Sequence, residues 1–364
     1  MESEDIMNRN LKIGLIIAIV ALLLFGSISY AKNNETVPQD HNSQEVITDT
    51  IPYWQEDSPA MKSIMDYVKS VTDPSSEAYI APADRIVVFD SDGTLFGELF
   101  PTYFDTCLMI HRYLHDDTFQ ADPADKEYCQ ALEEAVINRQ PEPDSPRSGA
   151  QMLAESFKGF TVDEYRQYIR DFMETDVPGF ENMKYQDGFF KPMTGLIQYL
   201  AQNNFQIYIV SGTETTMLRE LIKGTLDEYI PSDHVIGTSF TLTATNQGDT
   251  NGRSYTITAD DEIIYEGNMT FKNQKSNKIY SIIERIGKEP ILAFGNSSGD
   301  FAMGEYTLRN NGKAYMLLCD DTERDYGSIE TAEKFRTQCN EYGFETVSMK
   351  NEFKTIYGET ITKN

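Results

Sequence analysis

Four short apolar runs recur along the chain: Arg85-Ile-Val-Val-Phe89, Phe205 to Val210, Pro290 to Phe294 and Lys313 to Leu318. Each has the length and uniform hydrophobicity of a strand buried on both faces. Helical patterns lie between them, at Thr194 to Asn203, Thr215 to Leu226 and Asn277 to Ile286. Strands alternating with helices predict an α/β fold, a doubly wound parallel sheet covered on both sides. In such sheets ligands bind at the carboxyl ends of the strands. Three of the runs end in polar turns: Asp90-Ser-Asp-Gly-Thr94, Ser211-Gly-Thr213 and Gly295-Asn-Ser-Ser-Gly-Asp300.

Two inserts interrupt the pattern. The first, 97–185, carries helical patterns at Tyr103 to Leu114, Asp125 to Ile137, Gln151 to Phe157 and Val162 to Met173. An insert of this size is a subdomain, not a loop. The second, about Val235 to Glu266, alternates Ser254-Tyr-Thr-Ile-Thr with Glu262-Ile-Ile-Tyr-Glu and reads as a small β-hairpin. Residues 51–96 and 186–364 are then the core. Apolar residues from Met61 to Val68 fall at helical spacing, and Trp54 just before them reads as a core anchor.

The start of the chain is expected to stand apart. Arg9 and Lys12 precede an apolar run from Ile13 to Phe25, and Ser29-Tyr30-Ala31 offers small residues of the kind a signal peptidase reads. Residues 1–31 read as a signal peptide, or as a membrane anchor if the run extends through Gly26 and Ser27 to Ile28. Either implies export, secreted or held on the outer face of the membrane. Residues 32–50 read as a linker. Export permits disulfides. Cys107 with Cys129 and Cys319 with Cys339 would close local loops, and four buried thiols are the alternative.

A formal charge of -27 repels nucleic acid and anionic lipid, which excludes both as main partners. An anionic small substrate would need local positive charge, and Lys272, Lys275 and Lys278 cluster before the third strand. Taken singly, the polar turns and the lysines are each ordinary. Asp-x-Asp is a common solvated loop, Ser-Gly-Thr a common helix cap. Their joint order along the chain, three at strand ends, is what calls for a shared explanation.

That order resembles the haloacid dehalogenase superfamily. The likeness runs from about Tyr53 to Tyr357, most of all to exported bacterial members related to phosphoserine phosphatase. It is carried by "APADRIVVFDSDGTLFGE", "IVSGT", "KNQKSNKI", "AFGNSSGD" and "SMKNEFKTIY". The resemblance implies a phosphatase with Asp90 as nucleophile and Asp92 as acid and base, with Thr94 holding Asp92. Lys275, with Lys278 as the alternative, is the implied lysine. Ser211 and Gly212 are implied to bind the phosphoryl group at a helix start. A magnesium site of Asp90, the Asp92 carbonyl, Asn296 and Asp300 is also implied. Neutral Asn296 stands where many members carry aspartate, which would weaken the metal's hold. Asp92 separates phosphatases from the dehalogenases, whose halide leaves without a proton.

The first insert resembles the helical cap of phosphoserine phosphatases, which shapes the leaving-group pocket. Glu98 is then expected either to contact a cationic group of a small phosphorylated metabolite or to be a helix-start glutamate favoured by the helix dipole. Phosphoserine leads, with phosphocholine-like esters second. Phe96, Phe100, Tyr103, Phe104 and Tyr113 would form either an aromatic cage or core. His111 and His115, one helical turn apart, read as surface or packing residues. The alternative of another class is a surface binding protein that turns nothing over.

Overall fold

The computed structural model describes residues 50–364. The apolar run Ile13 to Phe25 and the linker lie outside them. Among the described residues no helix is long and apolar enough to cross a membrane.

Helix α1 (Pro59–Thr72) precedes strand β1 (Ile86–Phe89). Four helices follow in the insert that the sequence reads as a cap: α2 (Phe104–Leu114), α3 (Pro123–Ile137), α4 (Gly149–Ser156) and α5 (Val162–Met173). The short strand β2 (Phe180–Glu181) closes this region. The core resumes with α6 (Lys191–Gln202), β3 (Gln206–Glu214), α7 (Thr215–Leu221), β4 (Val235–Ala244) and β5 (Ile263–Phe271). It continues with α8 (Ser276–Arg285), β6 (Leu292–Gly295), α9 (Phe301–Arg309) and β7 (Lys313–Leu318). Last come α10 (Ile329–Tyr342), β8 (Glu345–Ser348), α11 (Met349–Glu352) and β9 (Thr362–Lys363), which pairs with β2.

The main sheet has the order β5-β4-β3-β1-β6-β7-β8. All neighbours are parallel except β4 and β5. β1 is apolar and fully buried because it lies between β3 and β6, with helices on both faces. The chain leaves β1 in one direction through β3, then returns to β6 on the other side. The carboxyl end of β1 is therefore the switch point, where two diverging connections leave a crevice. Stacking of Phe89 on Phe294 (4.6 Å) and of Phe294 on Tyr315 (5.3 Å) fills the core beneath it.

Trp54 is buried as expected. Its Nε1 donates to the Pro192 carbonyl (2.8 Å), and its ring meets Phe353 edge-on. The hairpin differs from its expected form. β5 pairs antiparallel with β4, and Ser254 to Thr258 form no strand. β4 alternates threonine with apolar residues, a half-buried ladder that extends the main sheet. The hairpin also supports the cap. Gly159 N donates to the Tyr265 carbonyl and Tyr265 N to that of Phe160, both at 2.8 Å. The four cysteines are thiols, so neither expected pairing forms.

Candidate active site

A cleft of about 360 Å³ lies over the carboxyl ends of β1, β3 and β6, with α2 and α4 of the cap on its far side. Its floor is a chain of buried charges. Lys278 Nζ lies 2.8 Å from Asp90 Oδ1 and 2.6 Å from Asp300 Oδ1. Lys278 and Asp300 are almost wholly buried. Burial lowers the ammonium's pKa, but the Asp300 and Asp90 carboxylates outweigh it and hold Lys278 above its ordinary value. Burial raises the Asp90 carboxyl, the Asp300 charge adds to this, and Lys278 opposes both.

Asp300 stands at the N-cap of α9 but does not cap it. Its Oδ2 instead accepts from the amides of Asn296 (3.1 Å) and Ser297 (3.2 Å) and from Ser297 Oγ (3.3 Å). Gly295 makes this return possible, since a Cβ there would meet the Asp300 side chain at 2.5 Å.

Asp92 is held differently. Thr213 Oγ1 donates to its Oδ2 at 2.6 Å, while the buried Oδ1 has no hydrogen-bond partner. Burial, then the negative charge of Asp105, pushes the Asp92 carboxyl up to about 8. Burial likewise pushes Glu98 up to about 7, against its hydrogen bond from Asn296 Nδ2 (3.0 Å). Asn296 Oδ1 accepts from Thr94 Oγ1 at 3.1 Å. Gly93, at φ 71°, lets the loop close over this pair. A Cβ there would lie 1.9 Å from Asn296 Nδ2.

β3 carries a register shift between Val210 and Glu214. Such bulges re-aim side chains beside active sites. Here the bulge turns Ser211, Gly212 and Thr213 into the cleft. Asn273, fully buried, pins it by donating to the Ser211 carbonyl at 3.0 Å. Lys272 Nζ donates to the Gly212 carbonyl at 2.9 Å.

A family model described as haloacid dehalogenase-like hydrolase matches residues 87–305. The chain belongs to this family of hydrolases. No curated protein matches it. Among solved structures it is similar to a functionally unknown protein from Anaerococcus prevotii: 15% identity, 81% of this chain and 94% of that one, TM-score 0.47. A phosphoserine phosphohydrolase-like protein from Francisella tularensis is also 15% identical, over 64% of this chain and 87% of that one, TM-score 0.34. A probable phosphoserine phosphatase from Vibrio cholerae is 11% identical, over 68% of this chain and 58% of that one, TM-score 0.36.

The hydrolase cleft gathers Asp90, Asp92, Glu98, Ser211, Gly212, Asn296 and Asp300, all expected there from the sequence. Three expectations are corrected. Lys275 is exposed at the N-cap of α8, at φ 54°, and Lys278 occupies the site. One turn of helix separates Lys278 from buried Ile282, so they share the inward stripe, a spacing that could have decided between the lysines. Thr94 bonds Asn296, and Thr213 is the residue that holds Asp92. Ser211 and Gly212 lie in a strand bulge rather than at a helix start, because α7 begins only at Thr215 and Glu214 caps it.

The expected metal ligands fare unequally. Asp300 has both oxygens committed within the protein. Asp90, Asp92 and Asn296 all line the cleft, and Asn296 Oδ1 already accepts from Thr94 Oγ1 of the loop after β1. Among the described residues no three His, Cys, Asp or Glu side chains form a metal cage. One carboxylate and two neutral oxygens are hard ligands that suit magnesium, which keeps several waters. Gly93 lets the Asn296 amide and the Glu98 carboxyl pack against this loop, where a Cβ would collide with both. The residues present therefore fit that ion.

The cap aromatics resolve into core. Phe96, Phe100, Phe104 and Tyr113 are buried, Phe96 edge-on to both Phe100 (5.2 Å) and Phe104 (5.9 Å), and of the five only Tyr103 lines the cleft. His111 Nδ1 pairs with the Tyr168 hydroxyl (3.0 Å) and His115 Nε2 with Glu133 (2.6 Å), away from the cleft.

Proposed function

We propose that this hydrolase cleaves phosphate monoesters of small metabolites, phosphoserine-like in size, through a phosphorylated Asp90. The observation that carries the reading is the run Asp90–Lys278–Asp300 on the floor of one cleft with Asp92. A nucleophilic carboxylate must stay ionised beside an anionic substrate, and Lys278 favours that state.

In the first step an Asp90 oxygen attacks phosphorus and the bond to the ester oxygen breaks. Protonated Asp92 gives its proton to the departing alkoxide. In the second step the Asp92 carboxylate takes a proton from water, the water oxygen attacks phosphorus, and the bond to Asp90 breaks. Asp92 ends protonated, and ester plus water has become alcohol plus phosphate. A carboxyl held protonated near neutral pH suits the first role, and Thr213 fixes its aim. The Ser211 hydroxyl, on the cleft lining beside Gly212 and Thr213, would donate to a phosphoryl oxygen. Magnesium held by Asp90, the Asp92 carbonyl and Asn296 would add positive charge against those oxygens.

A cleft of about 360 Å³ is at the small end for ligand pockets and excludes a macromolecular leaving group from its interior. The reading includes work outside the cytoplasm, on the basic and then apolar start from Arg9 to Phe25. The test is phosphate release from an aryl phosphate with added magnesium and with a chelator. Magnesium-dependent release that is lost in Asp90→Asn supports the reading. No release under any divalent metal would favour the binding-protein alternative.

A further inference from the structure

As a metal ligand Asn296 brings a difficulty that a carboxylate does not. The two ends of its amide have nearly the same shape, yet only the oxygen can bind a cation. An amide turned the wrong way would point N–H groups at the ion. A carboxylate has no wrong way round, because both of its end atoms are oxygens.

The fold holds this amide at both ends. Thr94 Oγ1 donates to Oδ1 at 3.1 Å, and Nδ2 donates to Glu98 Oε2 at 3.0 Å. The Asn296 main chain is held too, its N–H donating to Asp300 Oδ2 at 3.1 Å. The two side-chain clamps are not equivalent. A hydroxyl can donate or accept, so Thr94 would tolerate either end of the amide. Glu98 Oε2 accepts, and a turned amide would set oxygen against oxygen. Glu98 therefore decides the orientation. A hydrogen bond taken from the N–H end also raises the basicity of the oxygen end. That oxygen has two lone pairs, so Thr94 leaves one for a cation.

One loop delivers both clamps. The amides of Leu95 and Phe96 both donate to the Ser91 carbonyl, at 2.8 and 3.0 Å, and Gly93 N donates to the Phe96 carbonyl at 2.6 Å. This tight turn brings Thr94 and Glu98 to the same side chain. Gly93 leaves room for the contact, since a Cβ there would lie 1.9 Å from Asn296 Nδ2 and 2.6 Å from Glu98 Cδ. Among the described residues Glu98 makes no other side-chain hydrogen bond and no ion pair.

We propose that Glu98 is a positioning residue for the metal site. It holds the Asn296 amide with its oxygen towards the ion, and so lets a neutral amide serve where a carboxylate would need no help. This rests on the magnesium-assisted reading of the cleft, and it gives Glu98 a role that does not involve the substrate.

The test is binding of Mn²⁺, which takes the same hard oxygen ligands as magnesium, followed by electron paramagnetic resonance without substrate. Glu98→Ala should weaken binding by about tenfold, the lower end of the effect of removing a residue that supports a metal ligand. Combined with Asn296→Asp, the same substitution should cost much less, because either carboxylate oxygen can face the ion. Glu98→Gln keeps an acceptor oxygen and should lose less than Glu98→Ala. It carries the test if the alanine variant does not fold, and its loss should again shrink beside Asn296→Asp. Equal losses with and without Asn296→Asp would mean that Glu98 acts by charge and not through the amide, and would overturn the proposal. Mn²⁺ held as tightly by Glu98→Ala as by the parent would do the same. Either result leaves the phosphatase reading standing if the parent releases phosphate with magnesium. A parent that binds no divalent ion would overturn the metal reading and this proposal together.

Discussion

The two ends of the cleft bury carboxylates in opposite ways. At the core end Asp300 is completely buried, with Lys278 and three hydrogen-bond donors around it. At the cap end Asp92 and Glu98 lack a cation, and burial drives both towards the protonated form. Glu214, beneath the cap at the start of α7, belongs with them: burial pushes it up to about 7. The contrast teaches a division of labour. Fixed charge of both signs at the core end suits chemistry common to any phosphate ester. Uncompensated acids at the cap end suit proton transfer.

The core end should fail most completely. Asp90→Asn removes the nucleophile and should lower kcat by about 10⁴-fold or more, measured by phosphate release. Retained activity would break the assignment of chemistry to this end.

Lys278→Ala leaves Asp90 and Asp300 buried beside each other without a cation. Breaking a buried pair from one side costs about 3–5 kcal/mol, so the melting temperature should fall along with activity. Lys275→Ala, on the exposed cap of α8, should change stability by less than about 0.5 kcal/mol. Equal effects of the two would mean that the ion-pair chain does not form.

Asp92→Asn tests the proton-transfer role. Loss of a general acid costs about 10²–10⁴-fold on an alkyl ester, whose alkoxide must be protonated. An aryl phosphate, with a stable leaving group, should lose less in its first step. Identical losses on both esters would move Asp92 out of that role.

Much of the core end was legible in the sequence, because a short apolar run that stops at a polar turn marks both a buried strand and the atoms at its tip. β1 and β6 are of this kind. The cap helices were legible by their period, α5 to the residue. What escaped depends on contacts distant in sequence. β4 is half-buried and rich in threonine, so its membership of the main sheet rests on β3 beside it. β8 is four residues long with two only partly buried, too little pattern to read. Thr213 bonds Asp92 across 121 residues, and local sequence favoured the nearer Thr94. Asp105 looks like any acidic residue in a first helical turn until the fold turns it into the cleft.

The smallest expected effect is on stability against pH. Glu214 has its pKa raised from 4.5 to about 7, so the folded state holds the proton more tightly than the unfolded chain. Its contribution is complete below about pH 4.5 and is lost as pH rises through about 7. Glu214→Gln keeps an acceptor for the Met217 amide and should flatten this part of the melting-temperature profile, by on the order of 1–3 kcal/mol across the window. An unchanged profile would show that Glu214 stays charged, and the likeness between it and the cap-end acids would fail.

The claim beneath all of this is that phosphorus is transferred twice, first to Asp90 and then to water. The most direct measurement is the stereochemical course at phosphorus, followed with an ester made chiral by oxygen isotopes. Two in-line displacements predict overall retention. Inversion would mean that water attacks the ester directly and that Asp90 never carries the phosphoryl group.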